Sequence, residues 1–354
     1  MRELFVKPEQ TLTEQLKKES RPIVLYGMGN GGDKIFELCD KIGVKISDVY
    51  ASDEFVRGHS FHDIRVKKYS EIESLYDDFV ILLGFAVFRD DLMQRVDSMA
   101  RTHTLYVPDV PLFGANVFDI DFFNAHYDEI ERTYGLLADD ISKQTFVDII
   151  NAKLSGSYSL LRRCEVDRED VFRDIIHLGN HEKYIDLGAY DGDTIEEFLS
   201  HTGGRYSRIT AFEPDEKNMK KLSYKYGPLD NCRLYPYASW SGDAVMHFSG
   251  NGGRMSSLSD IGAQVQARAV DSVCMSATYI KMDVEGAEYE TLFGCRRIIT
   301  HSHPALAVSA YHRSEDIFRL PLLINEIEPK YKIYLRNHRY VPAWETNLYC
   351  VNEQ

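Results

Sequence analysis

Three short stretches hold residue types and spacings that suit a charged nucleoside ligand. In Asp186-Leu-Gly-Ala-Tyr-Asp-Gly-Asp-Thr194, the carboxylates of Asp186, Asp191 and Asp193 share eight residues with Gly188 and Gly192. A glycine loop leading into a helix usually cradles phosphate, because the first helical N–H groups point at an anion. Three carboxylates in that loop would repel one. The loop instead suits a ligand without phosphate and with two cationic groups, and S-adenosylmethionine has a sulfonium and an α-ammonium. The second stretch, Phe212-Glu-Pro-Asp215, places Glu213 about 20 residues past Gly192, where an acid takes ribose hydroxyls. The third, Ile280-Lys-Met-Asp-Val-Glu-Gly-Ala-Glu288, carries Asp283 and Glu285, and Tyr311-His312 follows one strand later.

These residues need a parallel sheet to bring them together. Tyr184–Leu187, Arg208–Phe212, Cys232–Ala238, Tyr279–Met282 and Ala305–His312 are short apolar, β-branched runs that read as strands. Helical spacing separates most of them, with Lys217–Tyr226 stopped by Gly227-Pro228 and a single helix expected over Glu288–Ile299. In an open parallel sheet, ligands bind at the carboxyl ends of the strands. That edge would carry Asp186, Glu213, Asp283, Tyr311 and His312. Lys332–Leu335 and Asn347–Val351, with no helix between them, read as a closing antiparallel hairpin. Ala244–Phe248 reads as an extra strand, and the glycine-rich Ser249–Ser257 as a mobile loop.

An independent strand–glycine loop–helix unit opens the chain. Gly27, Gly29 and Gly32 fit G-x-G-x-x-G, Lys34 stands just inside the helix, and Asp53 follows the next strand. This loop is nearly neutral, so it could take a phosphate, with Asp53 on a ribose; a scaffold that binds nothing tightly is equally consistent. Strands near 49–51, 79–83 and 104–107 make residues 21–110 a small Rossmann-like unit, and with the amphipathic helix expected over 1–20 the N-terminal Rossmann-like domain spans 1–115. Residues 116–182 read as a helical connector, and 183–354 as the second α/β unit. Tyr158 is expected in the core or in a lid.

The chain has 354 residues, with 44% hydrophobic and 27% charged, which allows two globular cores. A net charge of −14 opposes a nucleic-acid partner, since no basic stripe is present to neutralise phosphates. The six cysteines are scattered without a Cys-x-x-Cys pair, as in reduced cytoplasmic proteins, and no metal knuckle is formed. No apolar run approaches the roughly 18 residues needed to span a bilayer, so a cytoplasmic protein is expected. Nothing in the sequence opposes a homodimer.

Taken in order, the segments 185–194, 212–215 and 280–288 closely resemble the hallmark segments of FkbM-family S-adenosylmethionine-dependent methyltransferases. Val270-Asp271 and Ala305–His312 also match, and the resemblance covers about residues 180–351. It implies a seven-stranded class I methyltransferase sheet and O-methylation of a hydroxyl on a sugar, glycan-related molecule or other natural product. It also implies that Asp186, Gly188, Asp191, Gly192 and Thr194 surround the methionine part of the cofactor and Glu213 the ribose. Ala189 and Pro214 complete that shell, and Ala238 and Ser239 lie beside the adenine. Asp283 and Glu285 would lie at the reacting methyl. The proton of the acceptor hydroxyl would go to His312, Asp283 or Glu285, with His312 ranked first because an imidazole has the better-matched pKa. The family shows no metal signature and none is expected, although Asp283 and Glu285 could hold a divalent cation. Two other readings stay open: a nicotinamide-dependent oxidoreductase using Gly27, Gly29, Gly32 and Asp53, and a non-catalytic nucleotide- or sugar-nucleotide-binding protein.

Overall fold

The structure is a computed structural model that describes residues 1–114, 116–249, 257–259 and 263–352. It divides into two compact units, and neither is one run of sequence. The first comprises Met1–Tyr127, Gln144–Glu165 and Asn337–Trp344; the second comprises Asp128–Lys143, Val166–Arg336 and Glu345–Gln354.

The first unit is built on a six-stranded sheet. Its central strand, Ile23–Tyr26, lies between Asp48–Tyr50 and Val80–Leu83, with Ile64–Lys67 and Thr104–Tyr106 outside them and Ser60–Phe61 at one edge. All pairs are parallel except Ser60–Phe61 with Ile64–Lys67. Leu25, Val49, Val80 and Leu82 meet Ile35 and Phe36 of the Asn30–Ile42 helix in one core. The helix expected over residues 1–20 shortens to Leu12–Lys18. Pro8 opens a separate 3₁₀ turn, Pro8–Gln10, and its ring disfavours helical geometry at the residue before it. Tyr158 falls in this unit, where its hydroxyl donates to Asp97 at 2.6 Å.

The second unit carries a seven-stranded sheet in the order Tyr331–Asn337, Thr346–Asn352, Ala305–Ser309, Tyr279–Met282, Lys183–Leu187, Arg208–Phe212, Cys232–Tyr235. The last five run parallel. Thr346–Asn352 reverses against Ala305–Ser309, so the chain closes as an antiparallel hairpin. Tyr184 anchors one face, stacked between Phe198 at 4.4 Å and Tyr279 at 5.1 Å. Each such aromatic pair adds about 0.5–1.5 kcal/mol beyond area burial.

Two elements differ from the expectation. The third strand breaks at Pro236, which has no N–H to donate to a ladder. Cys232–Tyr235 stays in the main sheet, while Tyr237–Ser239 joins Ala263–Arg268, Ala244–Ser249 and Ser257–Ser259 in a separate four-stranded sheet. The helix expected over 288–299 is two helices, Glu288–Gly294 and Arg296–Ser302. Gly294 sits where the Trp240 carbonyl approaches; a Cβ there would lie 1.9 Å from that oxygen. Between 250 and 256 the predicted glycine-rich loop lies outside the described residues. Among the described residues, no helix is long and apolar enough to cross a membrane.

Candidate functional site

The glycine loop after Lys183–Leu187 is shaped by backbone contact. Gly188 has φ +81°, and a Cβ on it would stand 1.9 Å from the Asp283 carbonyl oxygen. Only glycine allows the loop to close against the end of the Tyr279–Met282 strand. Gly188 and Ala189 both donate to the Phe212 carbonyl, at 3.0 and 3.1 Å. Gly192, at φ +92°, packs against the ring of Tyr226, whose hydroxyl donates to its carbonyl at 2.7 Å. The Asp193–His201 helix follows directly.

Asp186 is 0% exposed. Thr194 donates to its Oδ2 at 2.6 Å, and its Oδ1 is buried with no hydrogen-bond partner. Burial pushes its pKa up to about 6. Asp191 is half-buried in the same loop. Glu213 is held rigidly, with Tyr190 N–H donating to one carboxylate oxygen and Asp215 N–H to the other, each at 2.8 Å. Its burial raises the pKa to about 7. A cofactor with a cationic amino-acid end and a ribose fits this set. The orphaned Asp186 oxygen and the half-buried Asp191 supply negative charge, and Glu213 supplies a fixed pair of acceptors. Pro214 lies between Glu213 and Asp215.

Beside the expected adenine position, Ala238 and Ser239 are buried. The Thr291 hydroxyl donates to the Ser239 carbonyl at 3.0 Å, so the Ser239 hydroxyl, 3.1 Å away, must donate to Thr291. Its proton is used inside the fold. The amide of Trp240 is also committed, to Arg268 O.

The third cluster gathers at the ends of two strands. His312 is 1% exposed; its Nδ1 lies 2.8 Å from Glu288 Oε1, and its Nε2 lies 3.4 Å from both Asp283 Oδ1 and Glu285 Oε2. Burial alone would lower its pKa, but Glu288, Glu285 and Asp283 outweigh burial and raise it well above the usual histidine range. His312 therefore carries its proton at neutral pH, and a protonated imidazole cannot accept another. This environment counts against the expectation that His312 is the base. Burial opposes ionisation of Asp283 as well, yet Lys281 and His312 hold its carboxyl below the usual range. Glu285 goes the other way: burial raises it, and His312 only partly offsets this. Its side chain remains 26% exposed. Its backbone, with Gly286 after it, is left-handed (φ +53° and +88°). A non-glycine residue so held stores strain of order 1–3 kcal/mol.

Glu288, Lys281 and Asp316 were given no role by sequence reasoning. Lys281 lies 3.6 Å from Asp283 Oδ2, and the two-residue spacing to Asp283 on one strand was the available signal. Tyr311, placed at this edge from sequence, has its hydroxyl 3.3 Å from Asp283 Oδ1. Asp316, buried and pushed up to about 8 first by burial and then by Glu288, left no sequence signal.

In the first unit the glycine loop has the expected shape, but not the expected charge. Gly27 (φ +109°) would place a Cβ 2.4 Å from the Phe85 ring and Gly32 one 3.0 Å from Phe61, while Gly29 (φ +95°) meets nothing within 4 Å. Lys34 does not stand ready for a phosphate. Its amine donates to the Pro111 carbonyl, and burial lowers its pKa. Asp53 opens the exposed 3₁₀ turn Asp53–Phe55.

Residues 186–341 match the family model for the methyltransferase FkbM domain. The second unit carries an FkbM methyltransferase domain. Methyltransferase FkbM from Methylobacillus flagellatus KT superposes with a TM-score of 0.74 over 99% of this chain and 95% of that chain, at 22% identity. That likeness extends the shared fold across both units. An rRNA methylase from Streptococcus thermophilus aligns over 50% of this chain and 90% of its own, at 15% identity and a TM-score of 0.34. No curated protein matches the sequence. The protein is a methyltransferase of mixed α/β fold.

Proposed function

We propose that the protein is an S-adenosylmethionine-dependent O-methyltransferase acting on a hydroxyl of a sugar, glycan-related or natural-product acceptor. One observation carries the cofactor part of this reading. The glycine loop that would otherwise receive phosphate presents a fully buried carboxylate, Asp186, with an orphaned oxygen. Such a group favours a cationic ligand and penalises a phosphate. The same observation weighs against a nicotinamide dinucleotide in this unit. The resemblance of the three motif segments to the FkbM family supports the sugar-like acceptor.

When bound, S-adenosylmethionine supplies a methyl group activated by a sulfonium. In this reading Asp186 and Asp191 bind the cationic part of the ligand. They stabilise the charged ground state more than a transition state in which that charge is lost, so they contribute affinity rather than rate. Glu213 accepts from the ribose hydroxyls. Glu285 takes the proton of the acceptor hydroxyl, since burial raises its pKa above the usual carboxylate range and its side chain remains partly exposed, so it can pass a proton on to solvent. His312, already protonated, is a positioning residue that orients Glu285 and Asp283. Holding the acceptor oxygen in line with the methyl supplies the remainder of the rate. The test is transfer of isotopically labelled methyl from S-adenosylmethionine to a panel of sugars, sugar nucleotides and hydroxylated natural products, with S-adenosylhomocysteine binding measured alongside. Binding without transfer to any hydroxyl would refute the O-methyl assignment; absence of binding would refute the cofactor.

A further inference from the structure

At the carboxyl edge of the second unit, Asp283, Glu288 and His312 each offer one ligand atom within 4.8 Å of the other two. They come from three separate places: the turn after one strand, the first turn of the Glu288–Gly294 helix, and the turn after the next strand, Ala305–Ser309. Glu288 is 0% exposed. Its Oε1 accepts from Val284 N–H at 2.9 Å and faces His312 Nδ1 at 2.8 Å, while its Oε2 is buried without any hydrogen-bond partner. A buried acceptor left unsatisfied costs about 1–3 kcal/mol, more when charged. The ring of His312 is surrounded by three carboxylates, since Asp283 and Glu285 each lie 3.4 Å from Nε2. Lys281 approaches the other oxygen of Asp283, Oδ2, at 3.6 Å. It leaves Oδ1 turned toward the cluster. The His312 imidazolium and the Lys281 ammonium thus face three carboxylates, of which Asp283 and Glu285 remain partly exposed, and a divalent cation taking the place of the imidazolium's proton would balance the third negative charge.

We propose that Asp283, Glu288 and His312 bind a divalent cation. One imidazole and two carboxylates form a hard donor set with one nitrogen, which favours Mn²⁺ over Ca²⁺ and, through the nitrogen, over Mg²⁺. Loading releases the His312 proton to solvent, because the ligand is the neutral imidazole. The site lies beside the glycine loop, where Gly188 packs on the Asp283 carbonyl. There the ion would hold the acceptor oxygen and lower the pKa of its hydroxyl, with Glu285 taking the proton. That role rests on the O-methyl transfer proposed above; occupancy of the site does not.

The experiment strips the full-length protein with EDTA and titrates it with MnCl₂, following free Mn²⁺ by electron paramagnetic resonance. S-adenosylhomocysteine binding is measured on the same samples by calorimetry. The expected result is one bound Mn²⁺ per chain, weakened at least ~10-fold by Glu288→Gln and by the less buried Asp283→Asn. S-adenosylhomocysteine affinity of the stripped protein should be retained, which shows that the fold is intact. No Mn²⁺ bound up to ~1 mM, the weak end for divalent-cation sites, would overturn the proposal. So would Mn²⁺ binding that neither variant weakens. If Glu288→Gln does not fold, Asp283→Asn alone decides. Mn²⁺ bound as expected without S-adenosylhomocysteine binding would leave the ion site standing and sink the methyl-transfer reading.

Discussion

Replacing Glu213 by Gln separates a carboxylate that binds ribose from one that merely supports the loop. Folding raises this group from 4.5 to about 7, chiefly through burial. The folded chain therefore holds the proton more tightly than the unfolded chain. The stability this confers is fully present below pH 4.5 and is lost as pH rises to about 7, a swing of about 3 kcal/mol for 2.5 pKa units. Above pH 7 the ligand-free protein keeps a buried carboxylate whose two oxygens each take one backbone N–H, from Tyr190 and Asp215. Gln relieves the charge but turns an amide NH₂ toward one of those N–H donors, an opposition costing about 1–3 kcal/mol. At pH 8 the two effects nearly cancel, so Glu213→Gln should fold about as stably as the parent. Ligand binding should respond very differently. A hydrogen bond to a charged acceptor contributes about 1.5–3 kcal/mol, so loss of one predicts S-adenosylhomocysteine binding weaker by roughly 10–150-fold. Isothermal titration calorimetry with S-adenosylhomocysteine and its 2′-deoxy analogue closes the cycle. The parent should discriminate between them and the variant should not. In the parent, affinity should also fall from pH 8 to pH 5, by up to ~100-fold, as the carboxylate is protonated. Equal discrimination by both proteins, or a flat pH profile in the parent, would refute the ribose assignment.

Glu285→Gln should lower kcat by about 10²–10⁴-fold while leaving S-adenosylhomocysteine affinity within twofold; an unchanged kcat at saturating acceptor assigns the proton transfer elsewhere. Gly188→Ala combines a left-handed backbone with a Cβ placed 1.9 Å from the Asp283 carbonyl. It should cost at least ~2 kcal/mol in urea denaturation, and a loss under ~0.5 kcal/mol would mean that the close approach is absent. Asp191→Asn should weaken S-adenosylmethionine roughly 3–10-fold and adenosine, which lacks the charged tail, hardly at all. Equal losses for both ligands would show the residue acting through the fold.

Most strands of the second sheet were legible as short apolar, β-branched runs, three of them ended by Gly188, Glu213 and Asp283. Their alternation with helices gave a parallel sheet and the missing helix before the last strand a closing hairpin, while the count of seven strands came with the family resemblance. What was not legible depended on contacts distant in sequence. Pro236 breaks one apparent strand into members of two sheets, and the second piece finds its partner only in Ala263–Arg268. Gly294 looks like an ordinary helical glycine until the Trp240 carbonyl arrives against it. Residues 116–182 read as one helical connector of packing helices. In the structure it is shared between the units, with residues 128–143 in one and 144–165 in the other.

The candidate site shows the same division between residue type and residue state. Sequence spacing placed carboxylates at Asp186, Glu213, Asp283 and Glu285 and a histidine at 312, and the fold brings the last three onto one cluster. Protonation cannot be read from spacing, because it depends on which groups converge. An isolated histidine with a pKa near 6.5 is well matched to accept a proton at neutral pH, and that was the reason for ranking His312 first. Three carboxylates, two from the turn after one strand and one from the helix that follows it, surround its buried ring and hold the proton on it. The same imidazolium draws Asp283 down, while burial keeps Glu285 above the usual carboxylate range. Two acids separated by one residue are thus pushed apart in pKa. On the proposed reading, Asp283 is the fixed charge and Glu285 the group that takes up and releases a proton, roles assigned by environment rather than by residue type.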